Sequence, residues 1–396
     1  NNNKNRLKRQ AYRDGRYPNT VWKNNRVAFF FDTSANSLLR SAFRKAAKLW
    51  SEDTCLDIYE DTCALSPDRI RVFAEEACWS DIGRLGGEQN LSLGEGCETV
   101  YYTRTQGTIG ISSSQLMLEI FRYNYGIPYD FGSIMHYGSY AGSKNDKPTM
   151  IPTDALYTET LGSPFISFYD LLLLNRHYNC TGCLKENIAD LFLRGVIMHV
   201  LDRCKQSRTV CYLQGFPHPR DCSKCICPGG YGGVDCKERP AGCGEEFTAT
   251  PYPQVFHASV GSKSLGDTPQ EDFDKCHYWI KAPLDKRIEV KLLRFSPDDI
   301  ADDGCRYGGV EIKTQTDQRL TGYRFAKVKY NSSKFFSYVG IALNTTEFRL
   351  PPKWYNFRFC STADANVTLV SDFYIVPIIT YNRMNETSVS IQYRYF

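Results

Sequence analysis

Period-two alternation dominates the C-terminal part of the chain. Ile288, Val290 and Leu292 are separated by Glu289 and Lys291, and Val389, Ile391, Tyr393 and Tyr395 alternate with polar neighbours. Successive strand residues face opposite ways, so such runs predict strands with one apolar and one wetted face. Several short strands of this kind, with turn signals between them, predict a β-sandwich after Arg239-Pro240. Nearer the N-terminus the period changes. Leu39, Phe43, Ala46, Ala47 and Trp50 recur at three- and four-residue steps and predict an amphipathic helix, with Ser37 as its cap and Arg40, Arg44, Lys45 and Lys48 facing water. A second helix is predicted from Ser167 to Tyr178, where Ser167 and Asp170 have capping-box spacing and Leu171 to Leu174 form a buried run. Val21 to Asp32, through Val27, Phe29 and Phe31, and Arg69 to Phe73 predict strands.

A chain of 396 residues is longer than one core usually holds, so two or three domains are expected. With a net charge of +4 and no long basic block, nucleic acid is not an expected partner. The longest apolar candidate, Ala189 to Leu201, is broken by Asp190 and Arg194. It falls short of the roughly 20 residues a membrane helix needs, so no membrane span is predicted.

Cysteine content changes the picture most. Sixteen cysteines, with Asn-x-Ser/Thr sequons at Asn90, Asn179, Asn331, Asn344, Asn366 and Asn385, predict a secreted, extracellular glycoprotein. The chain starts at Asn1 without a Met, and an upstream leader is expected. The basic quartet Arg6 to Arg9 predicts convertase cleavage between Arg9 and Gln10, which makes residues 1–9 a propeptide remnant. Six cysteines crowd the Gly/Pro-rich stretch from Cys204 to Cys236, which is too small for a core of its own and must be stapled. A zinc knuckle of Cys222, Cys225 and Cys227 is the rival reading; an oxidising compartment favours disulfides.

Cys225 to Cys236 has the C-x-C-P-x-G-Y-x-G-x-x-C spacing of an EGF-like module. The first 180 residues resemble the catalytic domain of the astacins, secreted zinc endopeptidases of the metzincin type. The resemblance rests on Gln10 to Asp14, Trp22, Thr54-Cys55-Leu56, Cys78 to Gln89, Leu91 to Gly94, Gly96-Cys97 and a Met-turn from Tyr129 to Tyr137. Gly215 to Arg220 and Pro377 to Asn382 are similar to the EGF-like and CUB-like tail of nematode members.

The implied architecture is α+β multidomain. A metzincin/astacin-like peptidase domain would span 10–181, an EGF-like region 182–237 with an insertion at 184–203, and a CUB-like β-sandwich 243–396 with an insertion near 327–358. The implied activity is hydrolysis of peptide bonds in extracellular protein substrates, with zinc as cofactor. The implied disulfides are Cys55–Cys180, Cys78–Cys97, Cys204–Cys222, Cys211–Cys225, Cys227–Cys236, Cys243–Cys276 and Cys305–Cys360. Cys63 and Cys183 are left over, to pair with each other or stay free.

Family chemistry needs H-E-x-x-H-x-x-G-x-x-H, which sets two imidazoles on one helix face, a third beyond a Gly turn, and a Glu to take the proton of zinc-bound water. This chain has no such motif. Its histidines are His136, His177, His199, His218, His257 and His277; no two are four apart, and none precedes a Glu. The segment between Cys97 and Tyr129, where the motif belongs, has Glu98 and Glu119 as its only acids. Met135 and Tyr137 remain as remnants, read as a packed Met and a buried Tyr with a hydrogen-bond partner. The reading is therefore an astacin-like family member with no metal site and no intact catalytic residues as written. The alternative is a non-catalytic extracellular binding protein acting through the old substrate cleft or the CUB-like sandwich.

Overall fold

The computed structural model describes residues 10–12, 16–94, 111–112, 122–145, 147–180, 209–266, 268–296, 304–325 and 367–396. Residues 1–9, 184–203 and 327–358 lie outside them, as do Glu98, Glu119, His199, Asn331, Asn344, Asn366, Cys97, Cys183, Cys204 and Cys360.

The N-terminal part runs β1 (Gln10–Tyr12), β2 (Arg26–Phe31), α1 (Ser37–Glu52), β3 (Asp57–Glu60), β4 (Arg69–Phe73), β5 (Cys78–Ser80), β6 (Glu88–Leu93), β7 (Ile111–Ser112), β8 (Arg122–Tyr123) and α2 (Phe168–His177). Five of these strands form a sheet in the order β3-β2-β4-β6-β5, parallel except for the antiparallel edge strand β5. Val27, Phe29, Ile70, Val72, Leu91 and Leu93 share one face and enclose a core with Leu39, Phe43 and Trp50 of α1 and the Leu171–Leu174 run of α2. β1 pairs antiparallel with both β7 and β8.

Two local expectations shift. α1 is capped by Asn36, whose side chain accepts from the Leu39 amide at 2.8 Å, and Ser37 is already the first helical residue. Ser and Asn are equally good caps, so the extended backbone of Asn36 (φ −73°, ψ 173°) decides which one serves. The strand expected from Val21 begins only at Arg26, as β2, because Asn24 and Asn25 at φ 54° and 55° break the extended run. α2 opens on the capping box of Ser167 and Asp170.

A small hairpin follows, β9 (Phe216–His218) with β10 (Asp221–Ile226), stapled by Cys211–Cys225 and Cys227–Cys236. The remainder is a two-sheet β-sandwich. Its strands are β11 (Glu246–Thr248), β12 (Gln254–Gly261), β13 (Asp274–Lys281), β14 (Ile288–Ser296), β15 (Gly308–Ile312), β16 (Tyr323–Phe325), β17 (Thr368–Ser371), β18 (Ile375–Asn382) and β19 (Glu386–Tyr395). The sheet orders are β11-β13-β18-β15-β16 and β12-β19-β14-β17. Ile288, Val290 and Leu292 meet Val389, Ile391 and Tyr393 inside, as their alternation requires.

The sandwich is joined to the N-terminal part by a buried polar seam. Arg324 is 3% exposed; its Nε donates to Glu311 Oε2 at 2.8 Å and its Nη1 to Ser163 Oγ at 2.6 Å. The Tyr169 hydroxyl donates to Asp317 at 2.7 Å, and that of Tyr323 to Asp154 at 2.7 Å. Lys45 of α1 pairs with Glu271 and Asp272 at 3.3 and 2.7 Å, so this flank of the helix meets the sandwich and not only water. Removing one partner of a buried pair strands the other charge. Glu311→Gln should therefore cost roughly 3–5 kcal/mol in urea unfolding; an unchanged midpoint would show that Arg324 finds its compensation elsewhere.

Candidate functional site

The Met-turn is held by two buried carboxylates. Asp170 not only caps α2 but accepts from the Ser133 hydroxyl and from the Ile134 amide at 3.0 Å. Asp130 accepts from the Gly132 amide at 3.2 Å and, across the seam, from the amide and hydroxyl of Thr321 at 3.3 and 3.2 Å. The approach is close: a Cβ added to Gly132 would lie 2.3 Å from the Thr321 side chain. Beneath the turn, Met135 is 1% exposed and packs into the core.

Tyr137 departs from expectation. It is 54% exposed rather than buried. Met135 and His136 take the inward positions, and with water available to its hydroxyl the Tyr137 ring needs no protein partner. His136 has both ring nitrogens engaged. Nδ1 lies 2.6 Å from the Tyr137 carbonyl, which can only accept, so Nδ1 carries the proton. Nε2 bonds the Tyr129 hydroxyl, so both ring nitrogens are spent within the turn and neither is left for a metal.

The other described histidines are spread over separate elements. His177 bonds Tyr125 at 3.0 Å beneath α2, His218 Nδ1 accepts from the Arg220 and Asp221 amides, and His257 bonds Ser390 at 2.8 Å. His277 is pushed down to about 4, first by burial and then by Lys275 and Arg239. Among the described residues no three of His, Cys, Asp and Glu are placed to hold a metal. Most of the segment where the family motif belongs, 95–110 and 113–121, lies outside them. Three imidazoles with an open fourth position are what a catalytic zinc takes. The described residues offer no such donor set.

Disulfides join Cys55 to Cys180, Cys211 to Cys225, Cys227 to Cys236 and Cys243 to Cys276. Cys78 and Cys222 are disulfide-bonded as well, which leaves no thiolate set for a knuckle at Cys222, Cys225 and Cys227. Cys63 is an exposed thiol. Cys305 is buried with its Sγ 3.4 Å from the Glu159 carbonyl. Of the sequon residues, Asn90 is in the middle of β6, Asn179 in an exposed turn after α2 and Asn385 between β18 and β19. Gln10 begins β1.

Residues 14–105 and 117–179 match the family model of the astacin peptidases. The chain belongs to the astacin family. Among its relatives, zinc metalloproteinase nas-31 of Caenorhabditis elegans is 35% identical, over 98% of this chain and 58% of its own length. Zinc metalloproteinase nas-32 of the same organism is 27% identical over 94% of this chain and 52% of its own length. The chain thus spans little more than half of these relatives. A solved structure, high choriolytic enzyme 1, a hatching-enzyme zinc-protease from the medaka Oryzias latipes, is similar at 21% identity and a TM-score of 0.35 over 40% of this chain and 92% of that one.

Sequence reasoning missed the seam at the turn. Lys313 is its least expected member, 1% exposed with Nζ donating to the Gln318 carbonyl at 2.7 Å. Burial pushes its pKa down to about 8, against the pull of Glu311, Asp130 and Asp317. An unfolded lysine keeps its proton to about 10.4. Between the two values the unfolded state binds the extra proton, so this group makes stability rise with pH across that window. Urea melts at pH 8 and pH 10 should show that rise in the wild type and not in Lys313→Met; an equal rise in both would assign it to other groups.

Proposed function

We propose that this chain, as written, is a catalytically silent member of a secreted zinc-metalloendopeptidase family. On this reading it acts as an extracellular binding protein through its CUB-like sandwich and the scaffold of the old cleft. One observation carries the proposal: the sequence holds no H-E-x-x-H-x-x-G-x-x-H, and the one histidine of the Met-turn, His136, spends both ring nitrogens on Tyr129 and Tyr137. Peptide hydrolysis by this family depends on metal-activated water and a general base. Met135 and Tyr137 supply neither. A phenol exposed at the turn stabilises an oxyanion only after something else has generated the nucleophile.

Extracellular location is supported by the disulfides, which persist in oxidising compartments, and by the sequons. Among the described residues no helix is long and apolar enough to cross a membrane. The domain plan read from the family, with a peptidase-like part to about residue 181, an EGF-like hairpin region to 237 and a CUB-like sandwich from 243, accommodates the sheets and staples as they stand. Extracellular proteins are the partners this plan suits, as substrates of the family or as ligands of this chain.

The test is elemental analysis with a protease assay on the purified secreted chain. Less than one-tenth zinc per chain and no chelator-sensitive hydrolysis of unfolded protein are expected. Chelator-sensitive hydrolysis by contaminant-free protein would overturn the proposal. A chain in which residues 98–124 are replaced by an intact zinc segment of the family should gain both metal and activity.

A further inference from the structure

The sheet face opposite α1 alternates arginines with aromatic rings. Arg26 lies 4.3 Å over Tyr59, Arg69 5.6 Å over Phe30 and Arg71 5.0 Å over Phe73, while Phe73 meets the half-exposed Trp79 edge-on at 5.7 Å. The charges are largely matched, Arg69 by Glu88 and Arg71 by Asp32, each at 2.7 Å. This is neither a bare basic patch suited to a polyanion nor a bare apolar patch suited to a hydrophobic partner. Arg69 spends Nε and Nη2 on Glu88 and Nη1 on the Ser66 carbonyl, and Arg71 spends Nε and Nη2 on Asp32, so the face shows ring surface beside guanidinium–carboxylate pairs.

Asn90 stands at the centre of this face. Its β6 neighbours Gln89 and Leu91 are buried on the core side at 3% and 1% exposure, so alternation turns Asn90 outward. Register sets it directly beside Arg71. Asn90-Leu91-Ser92 is a glycosylation sequon.

We propose that Asn90 carries an N-linked glycan whose first sugar rings lie on this arginine–aromatic face. Sugar rings present apolar C–H faces to aromatic surface, and their hydroxyls donate to carboxylates and accept from the remaining guanidinium N–H groups, which is the mixture displayed here. The tether rises from the middle of the face, so no separate partner has to be recruited. Asn179 and Asn385 sit in turns, where a glycan would extend into water. In the transfer, Asn90 Nδ2 bonds to C1 of N-acetylglucosamine while the bond from C1 to the diphosphate oxygen of a lipid-linked oligosaccharide donor breaks. The lipid diphosphate leaves and the amide nitrogen gives up one proton. Ser92 is fully buried and donates to the Ala77 carbonyl at 3.0 Å, so its hydroxyl is reachable only before β5 pairs with β6. The glycan is therefore added to the unfolded chain and folds down onto the sheet.

The proposal needs the secretory route but not catalytic silence, and it is tested without an activity assay. The full chain is secreted from a eukaryotic cell and its peptides are mapped. The peptide holding Asn90 should carry the glycan in the wild type and in Ser92→Thr, and lose it in Ser92→Ala. Arginine-directed dicarbonyl labelling of Arg69 and Arg71, and radical oxidation of Trp79, should rise several-fold when the wild-type glycan is removed enzymatically from folded protein. Unmodified Asn90 in the secreted wild type overturns the site. A glycan at Asn90 whose removal leaves labelling unchanged overturns its packing on the face.

Discussion

One carboxylate sets the position of everything around the Met-turn. Asp170 closes the first turn of α2 through Ser167 and, with the same two oxygens, holds Ser133 and Ile134. A buried carboxylate is tolerated only where donors converge on it, and here the donors come from a helix start and a turn far apart in sequence. That arrangement fixes Met135 inward and leaves Tyr137 outward. Asp130, at the other end of the turn, extends the connection to Thr321 and so to the sandwich. Helix, turn and sandwich are thus held by consecutive links of one polar chain.

What was legible in the sequence was whatever depends on near neighbours. α1 and α2 announce themselves by three- and four-residue steps, and the strands of the sandwich by alternation, because burial on one face of one element is a local property. The missing zinc motif was legible for the same reason, being contiguous. Asn36 displaced Ser37 because cap choice turns on backbone angles that spacing does not encode. The seam was not legible. Glu311 sits between Val310 and Ile312, where alternation alone would send it to water, and only the arrival of Ser163, Tyr169 and Asp130 from another part of the chain covers that face. Tyr137 was misjudged in the opposite sense, since nothing among the described residues covers it.

On the proposed reading, the astacin scaffold and its chemistry come apart in this chain. The core under Met135, the capping box of α2 and the Cys55–Cys180 bridge rest on burial, capping and covalent closure. Zinc chemistry needs three donors and a base in one short segment, whereas the packing that supports the turn comes from other parts of the chain. His136 illustrates the separation, with a ring fully used in holding the turn together.

The close contact between Gly132 and Thr321 has a consequence for descent. No side chain fits at 132 while threonine occupies 321, and Asp130 needs that same threonine hydroxyl. A change at either end is admissible only together with a change at the other. The two positions lie in parts of the chain that a modular protein would be free to exchange, yet here they must be inherited together. Shuffling a foreign sandwich onto this first unit would break the fit, so the seam makes the modules a single heritable piece.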